Sequence, residues 1–102
     1  MPRVMNDLIE IVGGDPAGKF GGFVSLQTGT AYFALEDFFN RHPEIVRVVE
    51  LGTWKGGLTI FFGLHMWHRN GEVITIDREK EQEEKWFDLC DLLDITWVQG
   101  DI

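Results

Sequence analysis

The sequence predicts an α/β domain built on a parallel sheet, and two observations carry that prediction. β-branched runs of strand length, at 46–51, 73–77 and 95–99, alternate with apolar stripes of helix length at 58–68 and 79–93. Connections of that kind call for right-handed βαβ crossovers, which set successive strands parallel. The composition is that of one globular domain: 102 residues, 44% hydrophobic and 13% aromatic, enough for one core and too few for two. Within it an N-terminal region over 1–45 precedes a βαβαβ unit over 46–102.

In chain order, Val4, Met5, Leu8, Ile9 and Val12 share one helical face with Asp7 and Glu10 opposite, so the chain is expected to open with a short amphipathic helix stopped by Gly13-Gly14. Residues 13–29 hold six glycines and Pro16, the composition of a lid or linker, on which Phe20 and Phe23 read as exposed aromatics. Tyr32, Leu35, Phe38 and Phe39 recur at helical spacing over 30–41. His42-Pro43 ends that helix, because the residue before proline is pushed out of the α region.

The first strand, Val46 to Leu51, is closed by Gly52. Residues 58–68 are apolar nearly all round, which marks a helix buried against a sheet, and Asn70-Gly71 turns the chain into the second strand. Trp86, Leu89, Cys90 and Leu93 stripe one face of an acidic helix over 79–93, and the third strand follows. The expected strand order is 3-2-1. No strand departs from the first in the opposite direction, so the arrangement reads as an incomplete doubly wound sheet whose first strand has an open edge.

Seventeen acids against nine Lys and Arg give a net charge of −8, and residues 72–94 carry nine of those acids against Arg78, Lys80 and Lys85. That segment repels a phosphate backbone, which argues against nucleic acid as a partner. No apolar run approaches the ~20 residues of a membrane span, and the N-terminus has no signal-peptide core, so a cytoplasmic location is expected. The single cysteine, Cys90, sits among apolar residues and reads as core filler. His65 and His68 are three apart on one helix without an evident third ligand, so both read as structural and no metal is expected.

The informative residues lie at the carboxyl ends of the three strands: Glu50 with Gly52, then Asp77, then Asp101. Open α/β sheets bind ligands in the crevice outside those ends. Gly52, Gly56 and Gly57 let the backbone turn tightly at the start of a helix. A dinucleotide fingerprint fails because Trp54 stands where its second glycine belongs, and a P-loop fails because Leu58 follows Gly57 in place of lysine. The acidic surroundings favour a ligand with a cationic part. Each acid also has a plain structural role open to it: Asp77 capping the next helix, Glu50 pairing with Lys55, Asp101 in a turn. Trp54 either flanks the ligand or packs the loop.

Val-Val-Glu-Leu-Gly-Thr-Trp-Lys-Gly-Gly at 48–57, Glu-Val-Ile-Thr-Ile-Asp at 72–77 and Trp-Val-Gln-Gly-Asp at 97–101 together resemble the first three motifs of class I S-adenosylmethionine-dependent methyltransferases. Within them the loop is similar to the branch of cephalosporin hydroxylases and rhamnosyl O-methyltransferases. It departs from that branch at Leu58, where a small hydroxyl residue is common. The resemblance implies a Rossmann-like methyltransferase half that binds S-adenosyl-L-methionine and passes its methyl group to a small-molecule acceptor. It assigns Glu50 and the backbone of Gly52, Thr53, Trp54, Gly56 and Gly57 to the methionine end. Asp77, with Arg78 beside it, falls to the ribose, and Asp101 with the Ile102 amide to the adenine. Acceptor-side residues usually follow the third strand, so no catalytic base is assigned. The competing expectation is a stand-alone S-adenosylmethionine or nucleoside-binding module that self-associates through the first-strand edge and transfers no methyl group.

Overall fold

The structure is a computed structural model, and it describes residues 9–11, 18–20, 23–25 and 29–100. In chain order the elements are β1 (Ile9–Ile11), β2 (Gly18–Phe20), β3 (Phe23–Ser25), α1 (Gly29–Arg41), β4 (Arg47–Leu51), α2 (Gly57–Trp67), β5 (Glu72–Asp77), α3 (Glu84–Leu93) and β6 (Ile95–Gln99). Strands β4, β5 and β6 form a parallel sheet with β5 in the centre, which is the expected order. The protein is thus a small α/β fold.

Register and the two-residue alternation of strands decide which side chains share a face. Val48 lies beside Val73 and Ile95, and Glu50 beside Thr75 and Trp97. That face lies under α2 and α3, because two right-handed crossovers stepping in one direction put both helices on one side. Ile60, Phe61 and Met66 of α2, Trp86, Cys90 and Leu93 of α3, and Val73 and Ile95 of the sheet form the core, which Phe23, Tyr32 and Phe39 join. Cys90 is core filler, as expected. The other face presents Val49, Leu51, Ile74, Ile76 and Val98, and Val49 and Leu51 are 56% and 65% exposed. Parallel sheets are ordinarily covered on both faces.

The outer edge of β4 is also open among the described residues. The Glu72 amide donates to the Val46 carbonyl at 2.9 Å and the Gly52 amide to that of Ile76 at 2.7 Å. Even-numbered positions of β4 therefore face β5, and Arg47, Val49 and Leu51 turn their backbone groups outward.

Helix α1 is anchored by Arg69, whose guanidinium donates to the carbonyls of Phe39, His42 and Ile45 at 3.0–3.2 Å. The Phe39 and His42 carbonyls also accept from the amides of His42 and Ile45, so the cation adds a second partner to acceptors at and beyond a helix C-terminus. Between α1 and α2, Glu36 and His65 are buried side by side, with Oε1 3.8 Å from Nε2. Burial, and after it the charges of Arg69 and His68, pushes the His65 imidazole down to about 4. His65 is buried and His68 exposed, so the two share no open face, in line with a structural role for His65.

Four expectations are corrected. Residues 9–11 are not the tail of a helix over 4–12: they pair antiparallel with 18–20, because Ile-Glu-Ile alternates as a strand once a partner is present. Residues 4–8 and 12 lie outside the described residues. The 13–29 segment is more than a loop, since β2 pairs with β3 in a register that sets Phe20 opposite Phe23. Phe23 is 6% exposed, not an exposed aromatic. Helix α3 starts at Glu84 rather than near 79, leaving 80–83 as irregular chain against the β4–α2 loop.

Candidate functional site

The loop from β4 to α2 has an unusual backbone: φ is positive at Gly52 (95°), Trp54 (51°) and Gly56 (89°), alternating with ordinary values at Thr53 and Lys55. Alternation of that kind turns successive N–H groups toward one point and makes a concavity for an anion. The anion here is the protein's own Asp77. Its Oδ2 accepts from the amides of Thr53 at 2.9 Å and Trp54 at 2.8 Å, and its Oδ1 from those of Arg78 at 2.7 Å and Glu79 at 3.4 Å. These amides, that of Trp54 foremost, hold the Asp77 carboxyl below the usual carboxylate range. Asp77 thus ties the loop to the end of β5 and does not cap α3, whose N-cap is Glu83.

Glu50 lies beneath the loop, 8% exposed. Thr59 donates to its Oε1, and Thr75 donates to the same oxygen at 2.7 Å. The Thr75 hydroxyl also meets that of Thr53 at 2.6 Å, so one hydroxyl chain joins β4, the loop, α2 and β5. Burial raises the Glu50 pKa; the two hydroxyls oppose that, and the charge of Asp77 adds to it. Glu50 is held by threonines, not by Lys55.

Two glycines have opposite surroundings. A Cβ on Gly56 would stand 2.0 Å from the Trp86 indole nitrogen, which donates to the Gly56 carbonyl at 3.1 Å, so this glycine is needed for packing. A Cβ on Gly52 would meet nothing within 4 Å. Gly57 opens α2, whose N-cap residue, Gly56, gives no side-chain hydrogen bond, so the first amides of the helix lack a side-chain partner of that kind.

Of the expected site residues, Glu50, Gly52, Thr53, Trp54, Gly56, Gly57, Asp77 and Arg78 come together at the carboxyl ends of β4 and β5. Asp101 and Ile102 lie outside the described residues. The sequence reading missed Thr59, Thr75 and Gln82. Strand alternation alone would have found Thr75, two residues before Asp77 and so on its face of the sheet. The side-chain amide of Gln82 donates to the Trp54 carbonyl. An open groove of about 490 Å³ lined by Val46, Arg47, Asn70, Gly71, Glu72 and Asp94 lies at the other, amino end of the strands. Among the described residues no group of three or more His, Cys, Asp or Glu is placed to hold a metal, and no helix is long and apolar enough to cross a membrane. Neither protein-family models nor characterised proteins give a match to the chain.

Proposed function

We propose that the crevice at the carboxyl ends of β4 and β5 binds S-adenosylmethionine, and that the chain is a class I methyltransferase of Rossmann-like fold, or the cofactor-binding portion of one, acting in the cytoplasm on a small-molecule acceptor. The observation that carries this reading is the folding of the Gly52–Gly56 loop onto Asp77. It fixes an ionised carboxylate beside an open glycine and an uncapped helix N-terminus, at the strand ends where open α/β sheets bind ligands.

The residues fit the parts of the cofactor. Gly52 leaves room for close approach, and the first amides of α2 suit a carboxylate. Glu50 and Asp77 suit the ammonium and sulfonium charges. The long contact from the Glu79 amide, at 3.4 Å, leaves Oδ1 of Asp77 an acceptor site for a ribose hydroxyl. Asp101 and Ile102 are assigned to the adenine by the resemblance alone. The bound cofactor would supply an electrophilic methyl group on sulfur, and the part of this chain is to hold and orient it.

Titration calorimetry with S-adenosylhomocysteine tests the reading. The wild-type chain is expected to bind, and Gly52→Ala to bind at least about tenfold more weakly. Absence of binding to the wild type at millimolar ligand overturns it. The open edge of β4 favours a second reading: a module that binds S-adenosylmethionine or a nucleoside, self-associates through Arg47, Val49 and Leu51, and transfers no methyl group. A discrete dimer in a solution mass measurement supports that reading, whereas ill-defined aggregation supports an incomplete enzyme.

A further inference from the structure

Trp54 is a bulky residue in the left-handed region, with φ at 51°, a conformation that costs an L side chain energy unless its neighbours impose it. Both of its peptide groups are held. Its N–H donates to Asp77 at 2.8 Å, and its carbonyl accepts from Nε2 of Gln82 in the segment before α3. The other end of Gln82 has no comparable partner. Its Oε1 is buried with no hydrogen-bond partner among the described residues, a loss that an apolar side chain of the same length would avoid.

We propose that Gln82 is the positioning residue of the cofactor loop: by holding the Trp54 carbonyl it imposes the left-handed turn that aims the Thr53 and Trp54 amides at Asp77. The two latches act on opposite sides of one residue, so releasing the carbonyl frees Trp54 to relax to negative φ and withdraws its N–H from the carboxylate. Glycine at position 54 adopts positive φ without cost, so Gln82 becomes dispensable there. The inference rests on the cofactor reading only for its effect on affinity.

Gln82→Leu keeps the bulk and removes both the donor and the orphaned carbonyl. In the variant, amide exchange at Thr53 and Trp54 is expected to speed up roughly five- to tenfold, the scale of one hydrogen bond, while the thermal midpoint does not fall. S-adenosylhomocysteine should bind more weakly by a similar factor. In a Trp54→Gly background the same substitution should change neither quantity. Unchanged exchange at 53 and 54 in Gln82→Leu, or an equal loss in both backgrounds, overturns the proposal. If the wild type binds no S-adenosylhomocysteine, the cofactor reading fails and amide exchange alone decides the role of Gln82.

Discussion

Gly56 and Trp86 are bound to each other in both senses: the indole nitrogen donates to the Gly56 carbonyl at 3.1 Å, and the same nitrogen is the atom a Cβ on Gly56 would strike first. Trp86 is fully buried, so it has no free direction in which to retreat. Through this contact α3 sets the height of the β4–α2 loop above the sheet.

Gly56→Ala should therefore be severe, costing about 3 kcal/mol or more from overpacking and positive φ together. Gly52→Ala, at a φ of 95° with nothing near its Cβ, should cost about 1 kcal/mol from the backbone alone. Urea denaturation of the two variants checks the difference. Equal losses would mean that the loop does not seat on Trp86 as described.

Thr59→Val should destabilise the fold in a pH-dependent way. Thr59 is fully buried and its hydroxyl donates to Glu50. The raised pKa of Glu50 means that the folded state holds its proton more tightly than the unfolded chain, so ionisation works against folding as pH rises through and above the usual carboxylate range. Removing a hydroxyl that steadies the charged form enlarges that cost. A loss of about 1.5–3 kcal/mol is expected near pH 7.5 and a smaller one near pH 4, measured as unfolding free energies at the two values.

Asp77→Ala should weaken S-adenosylhomocysteine binding by about 1.5–3 kcal/mol, the scale of lost hydrogen bonds to a charged group. The pKa of Asp77 is lowered, so what its charge contributes to the loop persists as pH falls through the ordinary carboxylate range and disappears only below the lowered value. Calorimetry should accordingly show the contribution of Asp77, measured as wild type minus variant, nearly undiminished from pH 7 down to pH 4, where an ordinary aspartate is already partly protonated. A clear decline by pH 4 would place the carboxylate outside the amide cradle.

His65 predicts loss of stability in acid. Its folded pKa of about 4 lies below that of the unfolded imidazole, so the unfolded state binds the additional proton as pH drops. Stability due to neutral His65 is intact above about pH 6.5 and fades down to about pH 4, by up to roughly 3 kcal/mol. His65→Phe should flatten that part of the stability curve in thermal melts from pH 7 to pH 4. A wild-type curve already flat there contradicts the burial of a neutral ring.

The parallel sheet was legible because Val46–Leu51 and Val73–Ile76 are β-branched runs closed by Gly52 and Asp77, and long helices between them leave one topology. Glu50 and Asp77 were legible for the same reason, as the ends of strands. The antiparallel β1-β2-β3 sheet was not. Ile9–Ile11 is three residues long, short enough to satisfy a helical stripe and an alternating strand alike, and the two glycines before Phe23 read as slack chain when they sit between strands just as short. Gln82 carries no periodicity at all. Its partner is a backbone carbonyl 28 positions away, and such contacts leave no trace in a pattern of side-chain types.

The sheet face that no described element covers has a consequence for colloidal behaviour. Val49, Leu51 and Val98 form an adhesive patch, while the chain carries a charge of −8 concentrated in and around α3 on the other side of the sheet. Like charges keep neighbouring molecules apart as long as their fields reach across the gap, about 10 Å at 0.1 M salt and about 3 Å at 1 M. The acidic helix thus acts as a spacer for a surface it does not touch. Concentrated salt removes the spacer and strengthens apolar attraction in the same step, so self-association is expected to increase with salt.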